Sequence, residues 1–120
     1  MHKIKNTENG VIQVSKEVIQ TIAGLAAVDC YGLVGMVSQD LQTGISGILG
    51  RENVRKGVDV HYTEQGFVID LYVMMGYGVK MKEVASSVIQ KVTYVLTHIA
   101  GIPVAAVNVN VKGVKVPANR

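Results

Sequence analysis

The chain is short of several residues that mark special classes of protein. It has one cysteine, Cys30, so no disulfide can close within it, and a disulfide-stapled secreted scaffold is excluded. Tryptophan is absent, phenylalanine occurs once, and aromatic residues make up 5% of the whole. A stacking platform for single-stranded nucleic acid has little to be built from. Charged residues are 18%, below the roughly one quarter usual in soluble domains, so long charged tails are missing. No apolar run approaches the ~20 residues that cross a bilayer, which speaks against direct membrane insertion. Met1 to Gly10 is polar and mixed in charge, unlike a signal peptide. These absences lead to the expectation of a cytoplasmic protein.

A core, by contrast, is amply provided. Hydrophobic residues are 48% of a 120-residue chain, enough for one domain over 1–120 with its core at about 10–114. The net charge of +3 is mildly basic; it allows contact with an anionic surface without requiring one.

The pattern centres on Lys80 to Gly113. Met81, Val84, Ala85, Val88, Val92, Val95, Leu96 and Ile99 draw one apolar stripe at helical spacing. Gly101 is placed to end that helix, Ile102 to fold back on its last turn, and Pro103 to forbid continuation. Val104 to Val111 then reads as a strand, with Ala105, Val107, Val109 and Val111 on one face and Ala106, Asn108 and Asn110 on the other. Upstream, Asn9-Gly10 is a turn and Val11, Ile12 and Val14 a short strand. Ser15 caps a helix whose apolar face is Val18, Ile19, Ile22, Ala23 and Ala26, with Gly24 allowing a close approach to the sheet or the second helix. Leu33 to Ser38 is a second strand. Val58 to Thr63 and Phe67 to Met75 form a hairpin around Glu64-Gln65-Gly66. The expected fold is α+β: a small single-layer mixed sheet packed by two helices, in the order strand, helix, three strands, helix, strand.

Residues 39–56 read as a mobile glycine-rich loop with at most a short helical turn. Its apolar residues Leu41, Ile45, Ile48 and Leu49 are candidate contacts for a partner. Arg51, Arg55 and Lys56 form a small basic patch, the basis for an alternative reading as a nucleic-acid-binding module. Gly32-Leu33-Val34-Gly35 and Gly47-Ile48-Leu49-Gly50 both spell G-x-x-G, but their middle residues are apolar and neither lies between two strong helices, unlike a nucleic-acid clamp. The free edge of the last strand, marked by Asn108, is a further candidate surface for pairing with another chain.

Catalytic chemistry is hard to find. No phosphate-binding glycine loop follows a strand. No serine sits in a nucleophile elbow, and Ser15 is accounted for as a cap. Asp59 and Asp70 are possible cross-strand neighbours, yet both alternate with apolar residues as solvent-facing side chains do. His2, His61 and His98 stand far apart, with no cysteine or carboxylate at ligand spacing. Neither a metal nor a cofactor is expected, and an enzyme subunit is the weakest of the three functional readings.

Read end to end, the chain resembles the alkaline shock protein family, the envelope stress response proteins of Gram-positive bacteria. The resemblance rests on Gly10-Val11-Ile12, Val14-Ser15, Glu17-Val18-Ile19, Ile22-Ala23-Gly24, Ala26-Ala27 and Gly32-Leu33-Val34-Gly35-Met36 in the first half. In the second half it rests on Gly57-Val58, Val60, Val68, Asp70-Leu71, Val73, Tyr77-Gly78, Gly101, Val107-Asn108-Val109, Val111 and Gly113-Val114. It spans roughly residues 10 to 114. It implies a non-enzymatic role in envelope stress or homeostasis, through homo-oligomer formation and docking to a membrane-anchored partner protein, with nucleic acid not favoured. The chain departs from the family's common pattern at Tyr31, where an acidic residue often precedes the glycine, and in ending soon after Val116, where longer members carry charged tails.

Overall fold

The computed structural model describes residues 2–40 and 47–116, with side chains from residue 7 onward. Their order is β1 (His2–Thr7), β2 (Gly10–Val14), α1 (Lys16–Val28), β3 (Leu33–Met36), a 3₁₀ helix (Arg51–Gly57), β4 (Val58–Thr63), β5 (Gly66–Gly76), α2 (Met81–Tyr94), a π turn (Val95–Ile99) and β6 (Val104–Lys115). The molecule is elongated, 60 × 24 × 21 Å along its principal axes.

The expected α+β architecture is present, and β5 is its axis. Along one edge of β5, β4 pairs antiparallel from Gly66 to Leu71 and β3 antiparallel from Val73 to Met75, so these two strands lie end to end. Along the other edge, β6 runs parallel from Phe67 to Gly76. Parallel neighbours need a crossover, and α2 supplies it. Phe67, Ile69, Leu71, Val73 and Met75 alternate onto one face of β5 and are all buried. Ile19, Ala23, Ala26 and Ala27 of α1 and Val84, Val88 and Val92 of α2 close over that face in one core. Ser15 caps α1, its Oγ accepting from the Val18 N–H at 3.3 Å.

Four expectations need correction. First, a strand precedes residue 10: β1 pairs with β2 as a separate two-stranded sheet. The polar composition of β1 gives no apolar alternation by which to find it. Second, Met81 and Ile99 do not belong to the buried stripe of α2; they are 45% and 70% exposed. Met81 is the first residue of α2. Ile99 is turned outward because the helix widens there: the Ala100 N–H donates to the Val95 carbonyl at 3.0 Å, five residues back, which rotates the end of the stripe off the core. Ile102, 1% exposed, takes the place of Ile99 in the core. Its N–H donates to the Leu96 carbonyl at 2.8 Å, past Gly101 at φ +72°, a glycine-terminated cap widened by one residue. Third, Ala105 is not on the inner face of β6. The register shifts between the Phe67–Val104 and Val68–Ala106 pairs, so a bulge exposes Ala105 and Val104 packs inward instead. Fourth, the neighbour that needs Gly24 is the 3₁₀ helix. A Cβ on Gly24 would lie 2.9 Å from the Val54 Cβ, and Val54 is 1% exposed. Within the second half of the 39–56 segment, the 3₁₀ helix packs on α1 through Val54.

Candidate functional site

The basic patch falls on the 3₁₀ helix, where the hairpin strand β4 is about to begin. Its three cations do not form a uniform stripe. The Arg51 guanidinium sits 3.5 Å from the Asp29 carboxylate, and Glu52 stands in the same short helix. Arg55 borders a small cleft that Glu17, Val18, Thr21 and Ile22 also line. Lys56 is exposed. Sequence-independent nucleic-acid binding draws its strength from several uncompensated cations along a backbone path. Here at least one is paired, and the nucleic-acid reading gains no support.

Leu41 and Ile45 lie outside the described residues. Ile48 forms an isolated antiparallel bridge with Val37, and the Leu49 N–H donates to the Met36 carbonyl at 2.7 Å. Both side chains are half-buried, and Leu49 packs against the core. The loop therefore returns to the domain through these two residues.

Asn108 is exposed on β6, and its Nδ2 donates to Asp70 Oδ1 at 2.9 Å. Its amide thus belongs to the sheet's open face, away from the helices. Asn110, two pairs further on, donates its Nδ2 to the Leu71 carbonyl at 3.2 Å. The outer edge of β6 has no strand beside it among the described residues.

That open face also holds a cluster that the sequence reading passed over. Asp59 and Asp70 are direct cross-strand partners, and the ligand atoms of Asp59, His61 and Asp70 all lie within 4.8 Å of one another. Contrary to expectation, two carboxylates thus stand within ligand distance of His61. Asp59-x-His61 on a strand puts both side chains on one face, and the hairpin register brings Asp70 opposite; both were legible once β4 and β5 were aligned. The carboxylates are already engaged: Lys16 Nζ stands 3.9 Å from Asp59, and Asn108 bonds Asp70. Tyr72, half-buried beside them, has its phenol pKa pushed up by burial and by the negative charge of Asp70 and Asp59.

A cleft of about 760 Å³ opens between the end of α1 and the start of α2. Tyr31 and Tyr77 stand at it, 91% and 69% exposed, with Lys80, Glu83 and Lys91 along α2. Cys30 lines it half-buried, its Sγ 3.7 Å from the Ala26 carbonyl. Burial raises the thiol pKa, Lys91 opposes this, and Asp29 adds to the rise. A thiol held protonated is a poor nucleophile. Glu83 and Ser87 line the same cleft with two tyrosines and two lysines, and no hydrogen bond between Cys30 and any of them is seen among the described residues.

Fold and surfaces together define a small open-sheet α+β domain with an exposed strand edge and a detached hairpin. The model of the alkaline shock protein 23 family, a family with a cell envelope-related function, matches residues 4–116, and the chain belongs to that family. The protein YloU of Bacillus subtilis strain 168 is 44% identical over 111 residues, which are 92% of each chain. A protein of Streptococcus pyogenes serotype M6 is 38% identical over 112 residues, covering 92% of this chain and 93% of its own. Two histidine-to-alanine variants of MamM-CTD share the fold at TM-score 0.50 and 12% identity, over 86% of this chain and 99% of theirs. Among the described residues no helix is long and apolar enough to cross a membrane.

Proposed function

We propose that this protein serves the cell envelope without catalysis, as an interaction module that self-associates and docks to a membrane-anchored partner protein from the cytoplasmic side. The observation that carries the proposal is the outer edge of β6. This twelve-residue strand is paired on one side only among the described residues. Its row of main-chain N–H and C=O groups is a template for another strand, and the only charges on β6 are Lys112 and Lys115 at its far end. The envelope-related family supports the setting. The paired state of Arg51, the protonated Cys30 and the engaged aspartates support a role in binding over one in chemistry.

The test is the mass of the purified chain across the micromolar range, by sedimentation or light scattering. A dimer or larger species that dissociates on dilution is the expected result. A monomer throughout would remove self-association from the proposal.

A further inference from the structure

The β1–β2 arm poses a stability problem that its own chain does not solve. Its strands pair only with each other among the described residues. Gly10 to Gln13 are all exposed, with Val11 at 53% and Ile12 at 48%, and a Cβ placed on Gly10 would meet nothing within 4 Å. An isolated two-stranded hairpin is marginal in water; it needs a third strand or an apolar surface. On the same chain, the outer edge of β6 lacks a neighbouring strand among the described residues.

The arm cannot fill its own edge. One residue, Ser15, separates β2 from α1, and α1 begins over β4: the Gln20 side chain donates to the Val58 carbonyl at 2.7 Å, and Lys16 faces Asp59. The arm therefore leaves the body on the β4 side, and β5 stands between it and β6. A second copy has no such restriction.

We infer that the β1–β2 arm pairs with the outer edge of β6 in a second copy of this chain. The inference rests on the self-association proposed above and names the segments that make it.

Two full-length variants test it. The arm variant, Val11→Asp/Ile12→Asp, keeps an intact β6 edge. The edge variant, Ala105→Lys/Asn108→Lys, keeps an intact arm; both of its positions are exposed, so the core is untouched. Each variant alone is expected to sediment as a monomer that keeps a cooperative thermal melt, independent of concentration. Mixed in equal amounts, they are expected to recover a one-to-one heterodimer, because each supplies what the other has lost. An arm variant that assembles like the parent chain overturns the inference and leaves self-association standing, with β6 pairing to β6. Failure of the mixture to form the heterodimer also overturns it. A parent chain that is monomeric throughout removes both readings. Hydrogen exchange on the parent chain gives a check that needs no variant. Amides of 2–14 and of 104–115 are expected to gain protection together as concentration rises; protection confined to β6 counts against the arm.

Discussion

Thr7-Glu8-Asn9-Gly10 and Thr63-Glu64-Gln65-Gly66 close two hairpins of this chain with the same chemistry. In both, two residues make the turn, and the threonine hydroxyl donates to the glycine carbonyl across it, at 3.0 Å in the first and 2.7 Å in the second. Their surroundings differ. The second hairpin has β6 beside it and two helices above it, and its Ile69 and Phe67 are at 0% and 2% exposure. The first has neither among the described residues, and its Ile12 stands at 48%. Local turn chemistry is enough to form a hairpin. What lies against its faces decides whether the hairpin contributes to the stability of the domain.

The comparison is broken most forcefully by a buried charge. Ile69→Asp should unfold the domain, since an unpaired carboxylate in the core costs several kcal/mol, comparable with the whole stability of a small domain. Ile12→Asp should leave the melting temperature of the monomer unchanged. Equal losses in thermal melts would mean that the arm is part of the body's core.

A smaller difference is expected at the two glycines. Gly66 has φ +122°, and a Cβ there would lie 3.0 Å from the Pro103 carbonyl oxygen. Gly66→Ala should therefore cost about 1–3 kcal/mol. Gly10 has open space around it, and Gly10→Ala should be close to neutral. Chemical denaturation of the two variants measures the gap. Replacing the turn hydroxyls comes next: Thr63→Val should cost about 1 kcal/mol, the worth of one intramolecular hydrogen bond, while Thr7→Val should not register in the global transition.

The finest test is alkaline pH. Tyr72 belongs to the body hairpin, and the arm has no tyrosine. Its folded-state pKa is raised above the ordinary value by burial and by Asp70 and Asp59. A raised phenol pKa means that the folded protein holds the proton more tightly than the unfolded chain. Its contribution is complete below about pH 10, the ordinary tyrosine value, and is lost as pH rises through the folded value. Tyr72→Phe should flatten that alkaline decline in a series of denaturation curves. A decline of the same slope in the variant would assign the effect to other groups.

Much of the body could be read without coordinates, because its elements have strong local periods. The valines of α2 at Val84, Val88 and Val92 and the alternation of β5 from Phe67 to Met75 are one-dimensional patterns, and burial follows them directly. The break at Ile99 is not such a pattern. Nothing in Val95 to Ile99 announces a π turn, which arises where the helix end must meet Gly101 and still bury Ile102. The same holds for the surfaces. Arg51 reads as a free cation until α1 brings Asp29 to it, and Asn108 reads as an edge residue until β5 sets Asp70 beside it.

Sequence alone determined β2, the two helices, the strands of the body, the Ser15 cap of α1, the hairpin turn at Gly66 and the family to which those motifs belong, since each depends on residues close together in the chain. Only the tertiary structure decided that β3 and β4 share one edge of β5, that β6 keeps an outer edge open, and that the β1–β2 arm stands apart from the core. Strand pairing is made by main-chain groups that every residue carries, so the choice of neighbour is set by how whole elements pack.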